Sequence, residues 1–156
     1  MMQFELRTGT AADVEAMYRL DLLCFEEPFR FDLATMRRFA LKRGAVVVVV
    51  AEDCGGMAGF VVVNLERVGK AKVGYVTTLD VAPERRRGGL ARVLMGEAEA
   101  RVRAAGASAM VLHVFGGNVA AVEFYEAAGY ERVGVVLGFY GDGMDGWVYR
   151  KGLSQG

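Results

Sequence analysis

At 156 residues, with 19 Lys+Arg against 19 Asp+Glu, the chain holds enough residues for one core and no net charge, which removes the broad electrostatic case for a nucleic-acid binder. A composition 53% hydrophobic and 24% charged excludes a mainly disordered chain, and one His with two Cys, Cys24 and Cys54, at no CxxC spacing leaves a metal site without enough ligands. The low Cys count suits a reducing compartment, the start MMQFELRTGT lacks the regions of a signal peptide, and the apolar run Ala45 to Ala51 is far short of the roughly 20 residues that span a bilayer, so a cytoplasmic protein without a membrane partner is expected.

Gln3 to Arg7 alternates polar and apolar residues and predicts a short edge strand. Thr10, with Asp13 three residues on, makes a capping-box-like start to a helix whose apolar positions from Val14 are Met17, Tyr18, Leu20 and Leu22 to Phe25. Glu26-Glu27-Pro28 breaks it, and Asp32 caps a second helix that runs through Phe39 and Leu41 to Arg43 and closes at Gly44. The valines from Val46 to Val50 predict a strand buried on both faces. Gly55-Gly56 turns the chain into a strand from Met57 to Leu65. After a polar turn from Arg67 to Lys72, a third strand runs from Val73 to Val81, stops at Pro83, and completes an antiparallel meander.

A helix follows from about Gly88 to Ala105, with Leu90, Val93, Leu94, Ala98 and Val102 at helical spacing and Gly106 at its end. Met110 to Phe115 is a strand, and Asn118 caps a helix carrying Ala121, Val122, Phe124 and Tyr125 ahead of Gly129. Tyr130 to Tyr140 and Met144 to Tyr149 form a hairpin around Gly141-Asp142-Gly143. The order β-α-α-β-β-β-α-β-α-β-β makes a mixed α/β fold: one domain over residues 1–156, core about 3–151.

Residues 81–92 read V-A-P-E-R-R-R-G-G-L-A-R, with four Arg between a strand end and a helix start. Gly88 and Gly89 let backbone amides approach an anion, the helix N-terminus adds its positive dipole end, and Arg85, Arg86 and Arg87 add counter-charge. Neither GxxxxGK nor GxGxxG is present, so nucleoside-triphosphate and dinucleotide loops do not fit. A diphosphate suits the pattern better than a lone carboxylate. The alternative is a solvated helix start.

Two motifs separate these readings. Val81, Pro83, Arg86, Gly89, Leu90 and Ala91 match V-x-P-x-x-R-x-x-G-[LI]-[GA]; Asn118, Ala121, Phe124, Tyr125, Gly129 and Tyr130 match N-x-x-A-x-x-[LF]-Y-x-x-x-G-[FY]. In both, and in element order, the chain resembles the GCN5-related N-acetyltransferases, which acetylate amines from acetyl-coenzyme A (acetyl-CoA). Leu112-His113-Val114 followed by Asn118, and the ending Phe139-Tyr140-Gly141-Asp142-Gly143-Met144-Asp145-Gly146, look like the branch that acetylates protein N-termini, including the ribosomal-protein-alanine acetyltransferase. That ending has Phe for the branch's first Tyr and Gly for its final Ala.

The resemblance implies acetyl-CoA as cosubstrate and no metal. Its pantetheine would lie along Leu79 and Val81 and its pyrophosphate on Arg86, Arg87, Gly88, Gly89, Leu90 and Ala91, with Asn118 either contacting it or serving as a plain N-cap. Tyr125 would be the general acid, or a core aromatic; His113 the general base, or a core histidine; Tyr75 resembles a Tyr that assists the base, its spacing to Pro83 one residue short. Phe25, Glu26, Pro28 and Tyr140 would line the acceptor groove, or belong to an ordinary exposed loop. The expected acceptor is a protein or peptide N-terminus, or a small amine, with the enzyme a monomer or homodimer. A coenzyme-A-binding regulatory domain without catalysis is the third reading.

Overall fold

Residues 4–52 and 56–153 are described in a computed structural model. In chain order they form β1 (Phe4–Thr8), α1 (Val14–Cys24), α2 (Leu33–Leu41), β2 (Ala45–Glu52), β3 (Met57–Val68), β4 (Ala71–Val81), α3 (Leu90–Ala104), β5 (Ala109–Phe115), α4 (Val119–Ala127), β6 (Glu131–Val136) and β7 (Gly146–Gly152). The element order and mixed α/β class follow the sequence pattern. Gln3 and Gly55 lie outside the described residues.

All seven strands join one sheet in the order β1-β2-β3-β4-β5-β7-β6. The β2-β3-β4 meander is antiparallel, as its short turns require. Both faces of its centre are covered, which is why the valine run carries no polar alternation. On one face Val48, Val61 and Val63 pack with Leu94, Ala98 and Val102 of α3. On the other, Val47, Phe60 and Val62 pack with Val14 and Met17 of α1 and Met36 of α2. Each of the buried Val, Leu, Phe and Met side chains contributes about 1.5–3 kcal/mol relative to exposure.

The helix starts form as their residues dictate. The Thr10 amide donates to Asp13 Oδ2 at 2.8 Å, while Arg7 clasps the same carboxylate through two bonds of 2.8 and 2.7 Å. The Thr35 amide donates to Asp32 Oδ1 at 2.7 Å, capping α2.

β4 departs from regularity twice. Thr78 pairs with Val62 and Val76 with Val63, so Thr77 is an extra residue on β4 and the strand bends there. Its parallel pairing with β5 covers only Val73–Tyr75 against Ala109–Val111, beyond which the strands diverge. Gly74 sits in that short seam, where a Cβ would meet Met110 Sδ and Val63 at 2.9 Å.

Several boundaries differ from the pattern reading, and β7 runs from Gly146 to Gly152 rather than from Met144 to Tyr149. Arg67 to Lys72 is not a loop: Arg67 pairs with Lys72 and Val68 with Ala71, because a polar ladder continues past the core until two residues suffice to turn. α2 ends at Leu41 rather than Arg43. α3 starts at Leu90, not Gly88, because Gly89 takes a left-handed φ of 83° that a helix cannot include. β6 stops at Val136 instead of reaching Tyr140, and residues 137–145 fold into a loop of their own. The Gly138 amide donates to Asp145 Oδ1 at 2.9 Å and the Tyr140 amide to the Met144 carbonyl at 3.0 Å, partners that replace a strand ladder.

Candidate active site

Where β4 and β5 part, the gap holds a cavity of about 840 Å³. Its walls are β4 from Tyr75 to Val81, β5 from Leu112 to Phe115, one face of α4, the α1–α2 loop and the 137–145 loop. α4 contributes Ala120, Ala121, Phe124 and Tyr125 to it and has no fully buried residue, since its apolar face looks into the gap.

At one end the cavity meets a second hollow of about 270 Å³, with which it shares Val81, Arg86, Ala91 and Phe124. Arg85, Arg86, Arg87 and Arg92 line this hollow with Gly89, Leu90 and Ala91; Gly88 sits in the same turn. Arg87 at φ 68° and Gly89 at φ 83° are both left-handed, and no side chain caps the first turn of α3. Amides at a helix start without a side-chain cap, among four lining arginines, suit an anion. Holding a non-glycine residue left-handed costs of order 1–3 kcal/mol, a form of strain that concentrates at functional sites. The Val81 carbonyl beside it accepts from Cys24 Sγ at 3.3 Å and Arg86 Nε at 3.4 Å.

Titratable side chains sit deeper in the gap. The Tyr75 hydroxyl and His113 Nδ1 share a hydrogen bond of 2.8 Å. Phe139 stacks on the imidazole at 4.1 Å and 2° between planes, and Tyr140 meets Phe139 edge-on at 4.9 Å. Burial lowers the pKa of His113 below 6.5 and pushes Tyr75 up to about 12, with the Glu66 charge adding to the latter. Tyr125 packs against Phe124 and Tyr130; burial raises its pKa, and Tyr140 and Asp80 push the same way.

Behind this wall two carboxyls meet. Asp21 of α1 and Asp80 of β4 are both fully buried. Asp21 accepts from the Phe31 amide at 2.9 Å and Asp80 from Thr78 Oγ1 at 2.5 Å, while Asp21 Oδ1 and Asp80 Oδ2 have no donor among the described residues. The two carboxyls are close enough to act on each other, and a proton on one of them avoids two neighbouring buried charges. Burial first, then Asp21, raises the Asp80 pKa well above the carboxylate range. Cys24, beside the pair and lining the cavity, is pushed up to about 11 by burial and by Asp80, so it is a neutral thiol.

The structure brings together Tyr75, His113, Tyr125, Leu79, Val81, Arg86, Ala91, Asn118, Phe25, Pro28 and Tyr140 around the larger cavity, and Arg87, Gly89 and Leu90 around the smaller. Asn118 also caps α4, accepting from the Ala121 amide at 3.2 Å. Glu26 is exposed and lines neither: its carbonyl closes a turn with the Phe29 amide at 2.8 Å, and the loop presents its aromatic side chains instead. Sequence reasoning selected the loop from Phe25 to Phe29, which includes Phe29, but not Phe115, Phe139, Glu66 or the Asp21–Asp80 pair. Phe139 does flank a selected residue in the chain.

Residues 14–130 match the acetyltransferase (GNAT) family. The chain is 31% identical to the N-terminal acetyltransferase A complex catalytic subunit NAA10 of Arabidopsis thaliana, across 96% of this chain and 78% of that protein. Among solved structures, the ribosomal-protein-S18-alanine N-acetyltransferase of Escherichia coli has a TM-score of 0.85 at 18% identity, covering 99% of this chain and 96% of that one. Arabidopsis thaliana NAA60 in complex with acetyl-CoA also has a TM-score of 0.85, at 19% identity, over 97% of this chain and 99% of that one.

Proposed function

The chain belongs to the acetyltransferase (GNAT) family, and we propose that it transfers the acetyl group of acetyl-CoA to the α-amine of a protein or peptide N-terminus by direct attack. The observation that carries this reading is a single gap that joins an Arg-lined helix start to a His–Tyr pair.

The residues fit acetyl-CoA. Arg86, Arg87 and the amides from Gly89 to Ala91 suit its pyrophosphate, the unpaired edge of β4 at Leu79 and Val81 suits the amides of its pantetheine arm, and Asn118 lies beside them. The same fold holds acetyl-CoA in Arabidopsis NAA60. When bound it supplies the activated acetyl group.

His113 takes the proton of the attacking amine on Nε2, directly or through water. This assigns the other ring proton to Nδ1, which then donates to the Tyr75 oxygen at 2.8 Å and leaves Nε2 a free lone pair. Burial keeps the imidazole neutral near pH 7, as a base must be. An α-amine with a pKa of about 7.7–8 is roughly a tenth neutral at pH 7, against well under 0.1% for a lysine at about 10.4. Tyr125, held protonated by burial, donates to the departing thiolate. The neutral thiol of Cys24 favours direct attack over an acyl-cysteine route. Glu66 is the one carboxylate lining the gap among the described residues, which suits a monocation better than a polyamine.

Incubation with acetyl-CoA and a library of unblocked peptides, read by mass spectrometry, is expected to show acetylated N-termini. Tyr125→Phe should lower kcat by about 10²–10⁴-fold. The acidic side of the wild-type profile should carry a His113 step below 6.5, beneath that of the α-amine, and His113→Ala should remove that step from the limb. A library without a single acetylated α-amine would refute the reading, and an unchanged limb in His113→Ala would remove His113 from it.

A further inference from the structure

This inference rests on the α-amine reading and concerns which N-termini the site takes. We propose that the acceptor end selects a large apolar first side chain, such as Leu or Met, and disfavours an acidic second residue, with Phe29, Phe115 and Tyr140 as the selecting wall and Glu66 setting the charge preference.

Phe29 lies 5.4 Å from Phe115 and 5.0 Å from Tyr140, ring to ring, so three segments distant in sequence supply one aromatic surface. Tyr140 continues it to Phe139, and Phe139 lies flat on His113. An amine presented to His113 therefore carries its side chain along an aromatic wall. Apolar area removed from water there favours binding, and polar side chains lose hydration without recovering hydrogen bonds.

Charge points the same way. Arg30, the basic residue of the α1–α2 loop, directs its guanidinium to the carbonyls of Phe25 at 2.8 and 2.9 Å and of Leu22 at 3.3 Å. Arg86 lies at the opposite end, against Val81. An acidic side chain near His113 thus meets no counter-charge among the described residues of that end, whereas exposed Glu66 lines the gap and its field reaches Tyr75. A cationic or neutral second residue is favoured over an acidic one.

The test compares kcat/KM, with acetyl-CoA and the full chain, for peptides identical except at the first two positions. Leu-first and Met-first peptides are expected about 10- to 100-fold above Ser-first and Asp-first ones. Met-Lys should exceed Met-Glu several-fold, and Glu66→Lys, a change on an exposed strand position, should invert that ratio. Phe29→Ala should bring the Leu/Ser ratio towards one; should that variant not fold, Phe29→Ser or Phe115→Leu makes the same comparison. Equal rates for all first residues, or a Met-Lys/Met-Glu ratio indifferent to Glu66→Lys, would overturn the selection while leaving α-amine transfer standing. Transfer to spermidine or lysine ε-amines with no α-amine acetylated would instead overturn the reading beneath it.

Discussion

The pair Asp21–Asp80 places two carboxyls where an apolar core needs none, so its stability depends on a proton. Asp80 binds that proton more tightly folded than unfolded, so its contribution is complete at low pH and lost as pH rises through the raised pKa of the folded pair. The neighbours that modulate it are Thr78, Arg86 and Cys24. Asp80→Asn supplies a fixed donor to Asp21 and should flatten the fall in Tm on the alkaline side, whereas Asp80→Ala should cost about 1–3 kcal/mol near neutrality, measured by denaturant unfolding. A steeper alkaline fall in Asp80→Asn would contradict the shared proton. None of this was legible in the sequence, where Asp80 is one polar letter in a strand and its partner sits on a helix far back in the chain. His113, Tyr125 and Asn118 were legible because their surroundings are local spacings. Glu26 shows the limit of local reasoning: it stands next to Phe25 in the chain, yet its side chain is directed to solvent.

Among the elements, the turn into α3 was readable as an anion cradle from its composition, but its left-handed geometry was not, because three Arg in a row give no sign of which one takes φ 68°. The two glycines beside it are unequal. Gly89→Ala meets no atom within 4 Å but must hold a left-handed φ, at about 1–2 kcal/mol, and should also weaken coenzyme A binding several-fold by calorimetry. Gly88→Ala, at an ordinary φ with its nearest contact at 3.5 Å, should change stability by less than about 0.5 kcal/mol. Equal effects of the two would remove the backbone explanation. The sequence reading puts the turn at Gly141-Asp142-Gly143 but extends strand over residues 137–140 and 144–145, because Phe139 and Tyr140 continue a β-prone run; Asp145 clasping the Gly138 amide decides the outcome, a contact that alternation does not encode.

For the whole molecule, the double-sided sheet followed from the valine run, whereas the divergence of β4 from β5 did not, since both strands read as ordinary core strands. That divergence leaves α4 without a fully buried residue, so a cosubstrate bound as proposed would become part of its packing. Coenzyme A at a hundred times its Kd should stabilise the fold by about 2.7 kcal/mol and raise Tm by roughly 5–10 °C, with amide exchange slowing in α4 more than in α2. Uniform protection would argue against α4 as the element completed by binding. The seam at Gly74 also acts as a fulcrum. From Gly74 the strand runs on to Val81, an arm of about 23 Å at about 3.3 Å per residue, against a joint only about 7 Å long. Motion at the joint is therefore multiplied about threefold at the far end, so the packing of Met110 and Val63 against one glycine governs how wide the jaws stand where the arginines wait.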